Sequence, residues 1–532
     1  MKNLFCCSRS ESPKSRFPQK ILLITICGLL PFVWRVWAEE AVWNDQPRYA
    51  VLAKQKTAQD PAWRKVIDAL LQKRHARLFV WKGHEVEALR PKLVQYHPFY
   101  ICIVARPQEL AAPAWARIRS PKGQTLQVPL QGVAYRLFGV LMRSLDPDPY
   151  DDALWGIVTG ADATDALRMV SAPPLTIRRG LSHIGRGWLE WLESGVSFDE
   201  GHQGRKWIRV AGQLSKEVKG PSDTTVQFIQ ELNSGKIDMV STSGHATEHD
   251  WQMGYTYRSG QIVTRTRLKQ TGKGLHWSQK RIDWYFQGGN RLVGVDRQNH
   301  VYPITTDNPK IYYSPGNCRI GRVSGPDCMV LGWIHHGAYQ FFGHVGLQLH
   351  SCYAWGVVDY FLRLQGRFSF AEAVWLNQQA LRWERSRMTK EERRTRYLCC
   401  ADETAIPAEG QLFWETTAFY GDPAWEARVK PITQPLYNQH MKIEPLPDGT
   451  RKIVFTVQMQ QARKPARPAA FLFHHPLGKL KKVIKGPKDL VLTENFALIP
   501  FWENLKITPH VGQRFSAEVI VEPEKQDQGK KS

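Results

Sequence analysis

Apolar residues recur between residues 45 and 402 with two periods, one typical of helices and the other of buried strands. Between residues 63 and 71 they recur at spacings of three and four, which places them on one face of a helix. Asp60 and Pro61 precede this stretch and supply an N-cap and a proline at the first helical position. Short continuous apolar runs, such as Tyr100–Val104 and Leu154–Val158, predict strands buried on both faces.

The same two periods predict most of the other elements in this part of the chain. Further strands are expected at 77–81, 207–210, 237–241 and 310–314, and further helices at 86–96, 131–145, 163–169, 222–233, 357–364 and 369–383. The last helix opens with the capping box Ser369-Phe370-Ala371-Glu372. Strands that alternate with helices indicate an α/β fold whose sheet is mostly parallel and covered on both faces.

The first 38 residues have the pattern of a signal peptide. Basic residues precede the apolar run at 21–34, which is shorter than a comfortable membrane span, and Val36-Trp37-Ala38 places small residues before Glu39. We expect cleavage after Ala38, with an uncleaved anchor as the alternative. In either case the body of the protein is predicted to be exported, to the periplasm, the cell envelope or the exterior. No stable membrane span is expected once the signal is removed.

The pattern changes after residue 403. Short β-type runs at 453–459, 470–473, 490–492 and 517–521 are separated by Pro, Gly and Lys, which is typical of a small β-sandwich. We therefore predict five segments, which are a signal peptide (1–38), an N-terminal α/β subdomain (39–195), a second α/β subdomain (196–402), a β-sandwich domain (403–525) and a disordered tail (526–532).

Composition narrows the functional classes only slightly. The net charge of +23 favours polyanionic partners, although such a charge is also common on a plain solvated surface. No nucleic-acid-binding motif is present, so we expect no nucleic-acid partner. Six cysteines follow the signal segment, too few for a disulfide scaffold, and no C-x-x-C pair points to zinc or redox chemistry. The adjacent Cys399 and Cys400 leave disulfides with other partners open.

The segment His245-Ala246-Thr247-Glu248-His249 matches the H-x-x-E-H motif of zinc peptidases. That interpretation requires both histidines on one face of a helix. The flanking sequence argues against a helix, because the predicted strand at 237–241 runs directly into the motif and no helical apolar stripe follows it. A zinc hydrolase remains an alternative. The favoured interpretation places His245 alone at the carboxyl end of a strand.

A second predicted strand, at 310–314, leads through Pro315-Gly316-Asn317 to Cys318. Functional groups in a doubly wound sheet emerge at the carboxyl ends of strands. If the two strands are neighbours, the imidazole of His245 can face the thiol of Cys318 and act as its base, or form an ion pair with it. The sequence therefore predicts a Cys/His dyad, with ordinary packing of the two residues as the alternative.

Residues 205–390 resemble the gingipain family of cysteine peptidases, within the clan that includes caspases and legumain. The resemblance rests on four stretches, which are Asp238 to His245 with Trp251, Lys310 to Cys318, MVLGWIHHGAYQFFGHV at 329–345 and SFAEA at 369–373. It is weaker over 45–190. The sandwich after 403 also fits, since family members often carry an immunoglobulin-like domain there.

The resemblance implies a caspase-like, doubly wound fold in two subdomains, followed by an immunoglobulin-like sandwich. It also implies an exported cysteine endopeptidase that acts on protein or peptide substrates. Cys318 would attack the peptide carbonyl, His245 would protonate the leaving amine and later activate water, and the backbone N–H groups of Ala246 and Cys318 would form the oxyanion hole. Where the family has glycine after the histidine, this chain has Ala246. A catalytically inactive relative that binds a cell-envelope partner is therefore the second hypothesis.

Two other groups of residues invite a functional interpretation. Asp146, Asp148, Asp151 and Asp152 precede the strand at 154, and the resemblance allows a substrate-pocket acid or calcium ligands at 146, 148 and 152. The simpler interpretation is turn-forming Asp-Pro chemistry. The mechanism requires no cofactor, and structural calcium is the ion left open.

The basic, aromatic segment at 252–309 is expected to contain hairpins that either line the cleft or form a solvated insertion. Three histidines lie in apolar stretches and are predicted to be core residues, which are His335, His336 and His344. The sequence predicts no oligomeric state.

Overall fold

The computed structural model of the protein describes residues 46–523, with gaps at 84–85, 112–113, 120–124, 131–132, 272–277, 290, 347–351 and 390–416. The predicted signal peptide, the predicted tail and the Cys399-Cys400 pair lie outside the described residues. Within the described part of the chain, no helix combines the length and the apolar character that crossing a membrane requires.

The described residues contain 27 strands. In chain order they are β1 (Tyr49–Lys54), β2 (Arg77–Trp81), β3 (Tyr100–Val104), β4 (Ala114–Arg119), β5 (Thr125–Leu130), β6 (Leu154–Val158), β7 (Leu175–Ile177), β8 (Arg179–His183), β9 (Ser194–Phe198), β10 (Arg205–Arg209), β11 (Lys216–Lys219), β12 (Met239–Gly244), β13 (Asp250–Gln252) and β14 (Gln261–Val263). The series continues with β15 (Val293–Val295), β16 (Val301–Pro303), β17 (Lys310–Asn317), β18 (Ala338–His344), β19 (Thr417–Tyr420), β20 (Ala427–Val429), β21 (Tyr437–Pro445), β22 (Arg451–Met459), β23 (Ala469–Leu472), β24 (Lys479–Lys485), β25 (Val491–Leu492), β26 (Phe496–Ile499) and β27 (Arg514–Glu522).

Thirteen α-helices lie between these strands in the described residues. They are α1 (Gln55–Gln59), α2 (Pro61–Arg74), α3 (Arg90–Tyr96), α4 (Pro107–Leu110), α5 (Val133–Met142), α6 (Ala163–Ser171), α7 (Thr225–Asn233), α8 (Arg265–Thr271), α9 (Gln279–Tyr285), α10 (Met329–His335), α11 (Cys352–Trp355), α12 (Val357–Phe361) and α13 (Phe370–Ser386).

Local sequence signals fix several of these boundaries. The predicted strands at β2, β3 and β6 are confirmed residue for residue. The carboxylate of Asp60 accepts hydrogen bonds from the first turn of α2, and the predicted capping box of Ser369 and Glu372 opens α13. The helix predicted over 86–96 is divided into a 3₁₀ turn (Val86–Leu89) and α3, because Pro91 at the start of α3 has no amide hydrogen to continue a helix from before it.

Twelve strands form the central sheet, in the order β11-β10-β9-β8-β12-β17-β18-β19-β6-β3-β1-β2. Eight of the eleven neighbouring pairs are parallel, which confirms the prediction of an α/β protein with a mostly parallel sheet. The strands at the centre are apolar on both faces, and β1, β3 and β17 are almost completely buried, as expected of continuous hydrophobic runs.

The central sheet consists of two parallel blocks that run in opposite directions. The first block comprises β1, β2, β3, β6 and β19, and the second comprises β8, β9, β12, β17 and β18. The blocks meet where β18 pairs with β19 in antiparallel fashion. The carboxyl ends of the strands in the first block therefore lie along one side of the sheet, and those of the second block lie along the opposite side. These two rows of strand ends are called the carboxyl edges of the sheet.

The segment after residue 403 contributes to more than a separate sandwich. Thr417–Tyr420 (β19) lies in the middle of the central sheet, between β18 and β6. The later strands form two antiparallel sheets, β21-β22-β27-β24 and β23-β26-β25. The rings of Phe455 in β22 and Phe471 in β23 lie 4.8 Å apart, so these two sheets pack on each other.

The basic segment between the two candidate catalytic residues is a folded insertion. Its strands β13, β14, β15 and β16 form an antiparallel sheet, so the hairpins predicted there are present. A small apolar cluster of its own packs that sheet against α8 and α9, through Val263, Leu268, Ile282, Tyr285, Phe286, Val293 and Val295.

Candidate functional site

The two candidate catalytic residues follow neighbouring strands of the second block. β12 pairs with β17 in parallel, and Gly244 lies opposite Asn317 at the carboxyl end of the pair. His245 and Cys318 are the next residues on each strand. Because paired strands lie about 4.8 Å apart, the two backbones are neighbours at this edge. The condition that the two strands be neighbours is met, and the catalytic role of the two residues stays a prediction.

A tight hairpin follows β12 and fixes the backbone of His245. Gly244 has φ +101°, in the region that favours glycine, and a Cβ there would lie 3.4 Å from the carbonyl oxygen of Gln252. The amide of Gln252 donates to the carbonyl of His245 at 2.8 Å. The buried Trp251 donates from its indole Nε1 to the carbonyl of Ser243, also at 2.8 Å. The Gly-His and Trp of the sequence thus form one structural unit.

Ala246 occupies a backbone conformation that alanine tolerates. It pairs with Trp251 in an antiparallel bridge, and it is not among the non-glycine residues with positive φ. The bonds that close this bridge come from the residues on either side, namely Thr247 to Asp250 and Gln252 to His245. In that pattern the N–H of the central residue points away from its partner strand. The N–H of Ala246 is therefore directed out of the hairpin, as an oxyanion donor requires.

The side chain of Asn317 joins the two strand ends. It is fully buried, and its Nδ2 donates to the carbonyl of Gly244 at 2.9 Å. Its Oδ1 accepts from the hydroxyls of Thr242 at 2.8 Å and Ser314 at 2.6 Å. Since the single hydroxyl proton of Thr242 is used here, the hydroxyl of Tyr312, 2.8 Å away, must donate to Thr242. This network sets the register of the residues that come next, His245 and Cys318.

His245 and Cys318 are each more exposed than the strand residue directly before them. His245 is exposed, and its ring lies 5.1 Å from the ring of Tyr255, which belongs to the insertion and is itself 52% exposed. Cys318 is partly buried and its thiol is not part of a disulfide. A nucleophile and a base must both be reachable by substrate, and this pair meets that condition.

The zinc interpretation of residues 245–249 requires a helix that this segment does not form. The chain there makes bends and a bridge, and His249 N–H donates to the hydroxyl of Thr247 at 3.1 Å. The carbonyl of His249 accepts from the amide of Thr264 at 2.9 Å, which turns this residue toward the insertion. Two histidines in a hairpin do not share a helical face, so the i, i+4 geometry of the motif is lost.

A partly buried acid lies next to the turn that carries His245, and it cannot be identified from the sequence pattern alone. Glu200 follows β9, two strands from β12, and its Oε2 lies 3.9 Å from the Cβ position of Gly244. This oxygen is buried and accepts no hydrogen bond within the described residues. Burial raises the pKa of Glu200 to about 7; the nearby hydroxyl of Ser243 opposes this rise and the charge of Asp199 adds to it. The sequence signal that could have pointed to Glu200 is its position just after a strand of the parallel sheet.

Two other histidines end strands of the same block and are core residues. His183 ends β8 and is fully buried, with Nε2 2.9 Å from the hydroxyl of Thr224. His344 ends β18 and is 3% exposed, with Nε2 3.2 Å from the carbonyl of Pro315. Burial lowers the pKa of each ring to about 4, so both are neutral at pH 7. The prediction that His344 is a core residue is confirmed.

The pair His335-His336 divides between core and surface. His336 is 3% exposed, and burial lowers its pKa to about 3, with the neighbouring His335 as the second cause. His335 is 25% exposed and its Nδ1 lies 2.9 Å from the carboxylate of Asp165. The core prediction is therefore confirmed for His336 and wrong for His335, which is partly exposed and whose Nδ1 is hydrogen-bonded to Asp165.

Three of the predicted acidic residues converge before β6. Single carboxylate oxygens of Asp146, Asp148 and Asp152 all lie within 4.8 Å of one another. Burial raises the pKa of Asp152 to about 9, with Asp146 as the next cause, and burial raises that of Asp148 to about 6. The same carboxylates accept backbone N–H groups of their own loop, as turn-forming aspartates do.

These acids are remote from the dyad. β6 is three strands from β17, which is about 14 Å across the sheet. Asp151 points elsewhere, since it is buried and accepts from Arg382 and Gln379 of α13. The hydrogen bonds of the cluster are those of a turn, and its roles as a substrate-pocket acid or as calcium ligands stay predictions.

In comparisons with family models, curated proteins and solved structures, none matches this chain.

Proposed function

We propose that the protein is an exported cysteine endopeptidase of gingipain-like, caspase-like architecture with a dyad of Cys318 and His245. One observation carries the proposal. The two residues follow opposed positions, Gly244 and Asn317, on neighbouring parallel strands at one edge of the sheet. A partly exposed thiol and an exposed imidazole at that edge are the two groups that acyl transfer needs.

The proposed reaction has two stages. In the first, His245 takes the proton of the Cys318 thiol, the sulfur attacks the peptide carbonyl carbon, and His245 gives that proton to the leaving amine as the C–N bond breaks, so that a thioester and a free amine form. In the second, His245 takes a proton from water, the hydroxide attacks the thioester, and the C–S bond breaks to release the carboxylic acid. His245 returns its proton to the sulfur and so restores the thiol. The N–H groups of Ala246 and Cys318 would stabilise the negative oxygen in both stages.

The test is peptide hydrolysis by the mature protein, with and without a thiol alkylator and a metal chelator. We expect the alkylator alone to abolish turnover. Cys318→Ala and His245→Ala are each expected to reduce kcat/KM by about 10³-fold or more. His249→Ala is the matched control, because it removes the second histidine of the same hairpin and should change kcat/KM by less than about threefold. A Cys318→Ala protein that cleaves peptides normally contradicts the mechanism, and loss with chelator alone together with loss in His249→Ala supports the zinc alternative.

The second candidate is an inactive relative that binds an acidic cell-envelope partner. It is favoured by β24, an edge strand whose lysines at 479, 481, 482 and 485 are all exposed. Lysines on an edge strand also prevent edge-to-edge pairing, which is sufficient reason for them. Absence of turnover, combined with salt-sensitive retention on an acidic polymer that is lost when these lysines are replaced by glutamine, would favour this candidate.

A further inference from the structure

Arg319, the residue directly after Cys318, has an unusual backbone conformation. Its φ is +52°, which costs a non-glycine residue about 1 kcal/mol. Three other non-glycine residues with positive φ occur in the described chain. His75 and His97 are helix C-caps, and Asn299 lies in a turn where asparagine is well tolerated. A long arginine with this φ needs a compensating interaction.

The side chain of Arg319 reaches the loop that follows His245. Its Nε lies 3.4 Å from Oε2 of Glu248, the glutamate of the H-x-x-E-H segment, so the two charges form an ion pair by distance, without a hydrogen bond between these two buried atoms. The side chains are 29% and 16% exposed, so the pair is more shielded from water than a surface salt bridge. Each partner is also anchored through its backbone. The amide of Arg319 donates to Gly346 at 2.9 Å, and the carbonyl of Glu248 accepts from Met329 at 2.8 Å.

We propose that Glu248 and Arg319 form a positioning pair, an ion pair that holds the loop of His245 and the loop of Cys318 in their working arrangement. This inference rests on the proposed function. The left-handed conformation at Arg319 directs the guanidinium back across the strand pair toward Glu248. Glu248 stands three residues after the imidazole, and Arg319 stands one residue after the thiol. The pair therefore links the two loops beyond the point where the strand hydrogen bonds end.

Removing one partner also changes the charge beside the dyad, in a direction that depends on the partner. Glu248→Gln leaves an uncompensated guanidinium next to Cys318, which favours the thiolate. Arg319→Gln leaves an uncompensated carboxylate, which disfavours it. The pH midpoint for alkylation of Cys318 should therefore fall in Glu248→Gln and rise in Arg319→Gln. A residue that only stabilises the fold would not move the midpoint in opposite directions in the two variants.

The experiment measures peptide kcat and KM, together with the pH dependence of Cys318 alkylation by iodoacetamide. We expect each single variant to lower kcat by about 10- to 100-fold with KM changed less than about threefold, and the double variant to be no worse than either single. Arg319→Lys should recover part of the activity. Arg319→Gly relieves the backbone strain but removes the side chain, so we expect it to be as impaired as Arg319→Gln. Thermal melts of each variant identify any that are unfolded, and for those the charge swap of Glu248→Arg with Arg319→Glu replaces the single variants.

The control is Arg267→Gln, which removes the nearby ion pair with Asp250 (2.6 Å) without touching the loop of Cys318. It should change kcat by less than about twofold. Additive losses in the double variant, full activity of Arg319→Gly, or equal alkylation midpoints in all variants would each overturn the inference. The alkylation measurements do not need turnover, so they test the pair even if the protein cleaves no peptide, and that outcome would count against the proposed function alone.

Discussion

The two carboxyl edges of the central sheet carry similar residue types and differ in how those residues are paired. At the edge of the first block, the hydroxyl of Thr57 donates to the carboxylate of Glu109 at 2.7 Å. Asp165 is 2% exposed there and accepts from Arg168 at 2.6 Å and lies 2.9 Å from Nδ1 of His335. These polar groups satisfy one another within the protein.

The corresponding edge of the second block carries the two proposed catalytic residues and a buried carboxylate oxygen. His245 is exposed, Cys318 is partly buried, and the buried oxygen of Glu200 has no hydrogen-bond partner within the described residues. The support for this site lies below it, in the network of Asn317 and the hairpin of Trp251. The comparison teaches that the end of a parallel strand is only an opportunity for chemistry. The second edge differs from the first in that an exposed imidazole follows a strand end that a buried hydrogen-bond network supports.

The largest effect on this contrast is expected from Asn317→Ala. The change removes the bond to Gly244 and leaves the hydroxyls of Thr242 and Ser314 buried without their acceptor. We expect the free energy of unfolding to fall by about 2–4 kcal/mol, and kcat/KM to fall by about 10- to 100-fold. Urea unfolding and peptide hydrolysis measure the two quantities. Ser314→Ala is the control, because it removes one of the two hydroxyl donors and keeps the bond from Asn317 to Gly244. Full activity of a destabilised Asn317→Ala protein would show that this network does not position the dyad.

Glu200→Gln tests the raised pKa of Glu200 through the pH dependence of the free energy of unfolding. The pKa of Glu200 is raised from 4.5 to about 7 in the folded protein. Below pH 4.5 both states are protonated and this group costs nothing. As the pH rises toward 7, the unfolded chain releases its proton first, so wild type loses stability relative to the variant. Above pH 7 the variant should be more stable by an amount on the order of 2–3 kcal/mol. Parallel stability curves between pH 4 and 8 would contradict this expectation.

The smallest effect is expected at the opposite edge, from His335→Ala. Asp165 keeps its bond to Arg168, so the loss of the imidazole should lower the free energy of unfolding by only about 1 kcal/mol. Peptide hydrolysis by the folded variant should match wild type. A loss of activity as large as that expected for His245→Ala would contradict this prediction and would indicate that residues of the first block take part in the reaction.

The sequence predicts a site residue best when that residue closely follows a predicted strand. Continuous apolar runs identified β3, β6, β12 and β17, and the residues that follow β12 and β17 could then be named as a dyad. The support around the dyad was not predictable in this way. Asn317, Glu200 and Arg319 matter because of partners between 43 and 75 positions away along the chain, namely Thr242, Ser243 and Glu248, and because of a single backbone angle at Arg319. A one-dimensional pattern contains neither.

The order of the strands in the central sheet could not be predicted from the sequence either. Nothing in the local pattern of Thr417–Tyr420 distinguishes a strand of the central sheet from a strand of the predicted sandwich, because both are short and apolar. The position of β19 depends on pairing with β18, more than 70 residues earlier, and with β6, more than 250 residues earlier. Local composition predicts that the α/β region ends near residue 402. The central sheet continues past that point, because it includes β19.

The place of β19 has a consequence for how the protein is made. During synthesis from the amino terminus, β6 and β18 emerge long before residue 417, and each presents an open row of backbone donors and acceptors until β19 arrives. Pairings between such distant segments form slowly, and open edges are points at which nascent chains associate wrongly. β19, the last strand of the central sheet in chain order, therefore completes that sheet, and the two blocks become one sheet only when residues 417–420 pair with β18 and β6.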